Sequence, residues 1–209
     1  MLKPSKTNLF NAAKAWNAPA CAAIVKEAPD LAKATDPKGR TALHIACGVE
    51  PGKKGLGEKD GTKTVAALVK GGCDLNAIAF TEDKWKANAV WYAVGRGRNV
   101  ALTRYLLKRG VSPDYAMFAA IYSNNPDTLR ELLRYDPDVS WSDEPAPILW
   151  ATTPFRLKAL DVLIEHGADP LVTDKRGRNA LDLAKFRRLP PEVRAKLEAL
   201  AARHRKAKR

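Results

Sequence analysis

Cysteine, histidine and long apolar runs are all scarce in this 209-residue chain. The three cysteines, Cys21, Cys47 and Cys73, form no C-x-x-C pair, and each lies among alanines, glycines or aliphatic residues. An odd number of scattered thiols argues against a disulfide framework. It reads instead as small buried side chains in a reducing compartment. With only His44, His166 and His204 beside them, the ligands for a metal site are too few, so no metal and no cofactor is expected. No apolar run approaches the ~20 residues of a membrane helix. The opening Met1-Leu2-Lys3-Pro4-Ser5-Lys6 leads into no hydrophobic stretch, so neither a span nor a secretory signal is expected. With Met1 as the true start the expectation is a cytoplasmic protein, with a secreted effector left open.

Catalytic signatures are missing as well. There is no G-x-x-x-x-G-K-[ST], no nucleophile elbow and no H-E-x-x-H. The glycines between 52 and 61, with Lys53 and Lys54, imitate a phosphate loop only in composition. The Lys–Gly spacing is wrong and no apolar strand precedes them. No nucleophile lies beside a base, so an enzyme is not expected.

Positive charge, by contrast, is abundant. Thirty-six Lys and Arg face 23 Asp and Glu, a net +13, and the pI is about 9.8. Such a balance attracts something acidic: a protein surface, nucleic acid or an anionic membrane. Hydrophobic residues at 45% suffice for a folded, water-soluble core.

Along the chain, short helical patterns alternate with turn signals. Thr7 reads as the cap of a helix carrying Leu9, Phe10, Ala13 and Trp16, and Pro19 opens a second helix with Cys21, Ile24 and Val25. Asp36-Pro37-Lys38-Gly39-Arg40 is a β-turn feeding a helix capped by Thr41. Residues 50–63 read as a Gly-rich insertion loop, with the next helix starting near Thr62. Leucine-rich helices that end in glycine or a turn recur around Leu68, Leu106, Leu132 and Leu163. A second D-x-x-G turn stands at Asp174–Gly177, and a last helix begins near Pro190 and Pro191.

Thr41-Ala42-Leu43-His44-Ile45-Ala46, and endings such as Leu163-Ile164-Glu165-His166-Gly167-Ala168-Asp169, resemble the ankyrin repeat, whose unit is about 33 residues with the signature T-P-L-H-x-A. Ala42 replaces the usual proline, and the middle units are degenerate: Trp91 stands where the histidine belongs in Asn88–Ala93. The resemblance implies an all-α fold with short β-hairpin or turn connections, an ankyrin-type helical solenoid over residues 7–202. Its units fall at 7–35, 36–80, 81–114, 115–140, 141–173 and 174–202, followed by a basic tail, 203–209. Each unit's two helices cannot bury their apolar faces alone; stacking does it.

The resemblance assigns Asp36, Gly39, Thr41, His44, Asp174 and Gly177 to the scaffold. It implies a non-enzymatic protein-interaction module whose hairpin tips and first helices line a concave binding face. The residues expected there are Lys38, Arg40, Trp85, Lys86, Arg96, Arg98, Tyr122, Trp141, Phe155, Lys175, Arg176, Arg178, Arg187 and Arg188, because Arg and aromatic side chains concentrate binding energy. Trp91 and Trp150 read as core. The partner expected is a protein with an acidic surface, bound by a monomer. The alternative is nucleic acid, bound by the same basic surface and the tail Arg203–Arg209. That tail also reads as a solvated helix end, and the charge runs as solvated surface.

Overall fold

A computed structural model describes residues 3–52, 55–82, 85–138 and 146–207, with the side chains of 81, 82 and 85 left outside that description. Twelve α-helices follow one another among these residues: α1 Lys6–Lys14, α2 Ala18–Glu27, α3 Ala42–Cys47, α4 Glu58–Lys70, α5 Ala89–Gly95, α6 Val100–Leu107, α7 Met117–Ser123, α8 Pro126–Leu133, α9 Pro147–Ala151, α10 Leu157–Glu165, α11 Ala180–Phe186 and α12 Pro191–Ala207. A two-residue hairpin, β1 Thr81–Glu82 and β2 Trp85–Lys86, pairs antiparallel ahead of α5.

The helices form two layers. Odd-numbered helices each pack on the next odd one, and even-numbered helices on the next even one, while each odd helix also packs on the even helix that follows it. The result is a stack of six helix pairs with an inner row (α1, α3, α5, α7, α9, α11) and an outer row. Most helices are shorter than the ~12–15 residues that are marginal alone in water, so burial between neighbours stabilises them. Leu9, Leu43, Leu68, Leu102, Leu106, Leu132, Ala159 and Leu160 are fully buried in one continuous cluster.

Two turns share one design. Asp36 Oδ1 accepts the N–H groups of Lys38 and Arg40, both at 2.9 Å, and Gly39 N–H donates to Asp36 O at 2.9 Å. Asp174 repeats this with Arg176, Arg178 and Gly177. Both glycines are left-handed, with φ of 71° and 74°. They differ in surroundings. A Cβ on Gly39 would collide with the carbonyl of Ala79, in the segment between α4 and β1, whereas one on Gly177 meets nothing within 4 Å.

His44 ties the start of α3 to the segment that follows α4. Its Nδ1 accepts from the Thr41 N–H at 3.2 Å, so Nε2 carries the proton and donates to Ala77 O at 2.9 Å. In the next unit Asn88 does both jobs. Its Oδ1 caps α5 at Trp91 N (2.9 Å) and its Nδ2 donates to Ser112 O (2.9 Å). Trp91 is therefore free to replace the histidine. The His44 ring is fully buried, and burial pulls its pKa below the ordinary 6.5. A proton added at Nδ1 would also face the Thr41 donor.

Several boundaries differ from the sequence reading. Ser5, not Thr7, caps α1, its Oγ accepting from Asn8 N at 3.2 Å. Helix α4 begins at Glu58 rather than near Thr62, shortening the expected 50–63 loop. Asp60 reaches back to Gly57 N–H at 3.0 Å, and Glu58 and Asp60 suit the positive end of the helix dipole. Gly61 is a packing glycine, not a loop glycine: a Cβ there would press within 2.8 Å of the Trp16 indole. That indole is buried and donates to Ala46 O at 2.8 Å. All three cysteines are free and buried; burial pushes Cys21 up to about 12, Cys73 up to about 11 and Cys47 higher still. No helix among the described residues is long and apolar enough to cross a membrane.

Two outcomes are expected. Gly177→Ala loses about 1 kcal/mol through its left-handed backbone alone, while Gly39→Ala loses roughly 3 kcal/mol because the Ala79 carbonyl must also move; urea-unfolding midpoints compare them. Because the folded pKa of His44 lies below 6.5, the unfolded chain takes up this proton first on acidification. The His44 contribution is complete above about pH 6.5 and is lost as pH falls through the folded value. Stability measured between pH 7.5 and 5 should fall less in His44→Gln than in the parent.

Candidate binding surface

The inner helices and turn tips build two concavities. The larger, about 680 Å³, lies over the first three helix pairs. Phe10 and Lys14 come from α1, Lys38 and Arg40 from the first turn, His44, Ile45 and Val49 from α3 and its end, Phe80 from the residue before β1, and Trp91, Tyr92 and Arg96 from α5 and its end. Its aromatic floor is interlocked edge to face: Phe80–Trp91 at 5.8 Å, Trp91–Tyr92 at 5.0 Å and His44–Tyr92 at 5.4 Å. Burial raises the pKa of Tyr92, which stays neutral.

The smaller cavity, about 190 Å³, lies between α9 and α11. Leu149, Trp150, Thr153, Arg156, Asp174, Arg178, Leu183 and Arg187 line it. The Arg156 guanidinium stacks 4.2 Å from the Trp150 ring centre and 5.5 Å from that of Tyr122. Arg178 lies 5.9 Å from the Phe186 ring. Trp150 in turn meets Phe118 edge to face at 5.2 Å. Tyr122, Phe155 and Phe186 are 72%, 85% and 74% exposed, and the first and last of them meet Arg156 and Arg178 of the lining.

The residues expected at a binding face are distributed as follows. Lys38, Arg40 and Arg96 meet in the large groove, and Arg178 and Arg187 in the small one. Lys175 and Arg176 are exposed at the last turn tip. Lys86 sits 5.5 Å over the Tyr115 ring. Arg98 and Arg188 occupy equivalent loops between inner and outer helices, both left-handed at φ of 47° and 54°. Trp141 and the Trp85 side chain lie outside the described residues.

Arg40 and Arg178 turn out to have structural partners. Arg40 grips Asp36 through Nε at 2.7 Å and Nη2 at 2.6 Å, and Arg178 grips Asp174 at 3.0 and 2.8 Å. Arg178 holds the Asp174 carboxyl down at about 2. Each arginine thus braces its own turn while still lining a groove.

Sequence reading missed Lys14, Trp150 and Arg156. Trp91 and Trp150, read as core, are half-buried walls of the two concavities. The signal for Arg156 was local: Thr152-Thr153-Pro154-Phe155 cannot continue α9, so the chain turns and projects the next long side chain back over Trp150.

Ion pairs link successive outer helices. In the outer row, Arg104 clasps Glu131 with two bonds of 3.0 and 2.8 Å, Arg134 joins it at 3.2 Å, Arg130 meets Glu165 and Asp127, and Lys196 meets Asp161. Glu131 is buried, and its arginine partner holds its carboxyl below the usual range. On the inner face, Lys14, Lys38, Arg96, Arg156 and Arg187 have no ion pair among the described residues.

The sequence model of the ankyrin repeat matches residues 38–79. No curated protein sequence matches the chain. Among solved structures, the crystal structure of EF0377, an ankyrin repeat protein, superposes with a TM-score of 0.65 at 20% identity, covering 95% of this chain and 98% of that one. The match spans the paired helices in their two rows, and the chain has the fold of an ankyrin-repeat solenoid.

Proposed function

We propose that this solenoid is a non-enzymatic protein-interaction module that binds an acidic protein partner on its inner face. Ankyrin repeats are protein-interaction scaffolds. The observation that supports the finer reading is the setting of five inner-face cations: Lys14, Lys38, Arg96, Arg156 and Arg187 line concavities beside aromatic walls, with no ion pair among the described residues. Unpaired guanidinium and ammonium groups on a preshaped, half-apolar surface raise the on-rate and the specificity for an acidic counterpart.

Arg98 and Arg188 add two exposed cations at loops between the rows. A left-handed backbone costs a non-glycine residue about 1 kcal/mol, and glycine would avoid it. Trp16 and Asn124 take the same backbone in the matching loops, so that cost belongs to the loop and not to arginine.

Nucleic acid is the second reading, from the net charge and the basic end of α12. That end is part of a helix anchored on the preceding unit, with His204 Nε2 3.1 Å from Gly167 O.

Capture from extract tests the proposal. Lys38→Glu/Arg96→Glu should lower recovery of the bound protein about tenfold or more, while the outer-row control Lys26→Glu/Lys70→Glu leaves it intact. Equal recovery by all three refutes the inner face as the site, and recovery of nuclease-sensitive material alone favours nucleic acid. A companion variant, Arg188→Gly, should keep or gain up to ~1 kcal/mol of stability by urea titration while weakening capture.

A further inference from the structure

The cavity between α9 and α11 has a donor surplus that the rest of the molecule does not answer. Three guanidiniums, Arg156, Arg178 and Arg187, face one carboxylate, Asp174, which Arg178 and the turn N–H groups already occupy. Arg156 and Arg187 are fixed without being neutralised. Arg156 Nη1 donates to Trp150 O at 2.8 Å and Arg187 Nη1 to Thr152 O at 2.6 Å. Carbonyl anchors orient a guanidinium and leave its charge in place, with the remaining N–H groups open to the pocket. Burial depresses the pKa of Arg156, and the nearby like charge of Arg187 adds to it in lesser measure. Thr153 adds a buried Oγ1 with no hydrogen-bond partner. Buried hydroxyls are nearly always paired, so an orphan on a cavity wall marks a missing acceptor.

A ligand for this pocket therefore brings acceptors and no donors, carries negative charge, and fits about 190 Å³. Resting on the reading of an acidic protein partner, we infer that the pocket is the anchor for one carboxylate side chain of that partner, held by Arg156 and Arg187 with Thr153 donating. The Trp150 ring flanks the methylene stem of such a side chain. The guanidinium fork matches the planar carboxylate in two parallel bonds. A phosphate would meet the same two guanidiniums, so inorganic phosphate is carried as a separate arm of the test. The large groove over the first three units is a different kind of site: it is wide, floored by aromatics, and suited to a run of backbone rather than one side chain.

The test uses the whole chain and a tetraglutamate peptide with blocked termini, titrated by calorimetry at low salt. Tetraglutamine and inorganic phosphate at matched ionic strength serve as the other arms. The expected result is binding of tetraglutamate alone, weakened at least tenfold in Arg156→Gln/Arg187→Gln and less than threefold in Lys38→Gln/Arg96→Gln. Circular dichroism confirms folding of each variant. Arg187→Gln alone replaces the double variant if that one does not fold, and should show a loss of about fivefold. Thr153→Val should weaken the peptide severalfold with its charge unchanged. Equal affinity in the pocket variants and the parent overturns the pocket while leaving an acidic partner elsewhere on the face. Phosphate binding as tight as the peptide's overturns the carboxylate assignment. No tetraglutamate binding to the parent at millimolar concentration overturns both this inference and the acidic-partner reading beneath it.

Discussion

No helix pair in this molecule has enough buried surface to hold itself together, and that shortage governs the rest of the structure. Inner helices of five to nine residues lie far below the length at which a helix persists in water. Their stability comes from neighbours: aliphatic side chains close the gap between rows, and a few polar atoms fix the stacking distance. His44 and Asn88 illustrate the second role. Each helps cap its own inner helix and reaches a carbonyl beyond the outer helix that follows. A cap is a local device and a cross-link a long-range one, and joining both in a single side chain makes the start of the inner helix depend on the segment beyond its outer partner.

The same dependence explains what the sequence disclosed. Turn chemistry is local, so Asp36, Gly39, Asp174 and Gly177 were readable from spacing alone. The leucine-rich outer helices were readable from their period and their terminal glycines. Features that answer to a distant neighbour were not. Gly61 looks like a loop residue until Trp16 is seen lying against it. Trp150 looks like core until the chain beyond it folds Arg156 back onto its face. Arg40 and Arg178 looked like surplus charge because nothing in their spelling says that the aspartate four residues earlier has turned its second oxygen toward them.

Charge placement follows from geometry as well. Adjacent outer helices present long side chains to one another, so arginine on one finds a carboxylate on the next, as Arg104 does with Glu131 and Arg130 with Glu165. Along the inner face, Arg40 and Arg178 pair only with the aspartates of their own turns, and Lys14, Lys38, Arg96, Arg156 and Arg187 have no ion pair among the described residues. Aromatic rings fill the role instead, supporting guanidinium planes that keep their full charge. The face that results is stiff, cationic and half apolar before any partner arrives, so little ordering is required when binding occurs.

The thiols give the molecule a natural reporter of its own unzipping. Cys21, Cys47 and Cys73 are all sealed from water, and all belong to the first two helix pairs; the remaining pairs carry none. A thiol reagent in the bulk can react only when those layers part. The labelling rate therefore clocks the opening of the amino-terminal third against the silence of everything beyond it, and a stack that peels from one end will be labelled long before it has melted as a whole.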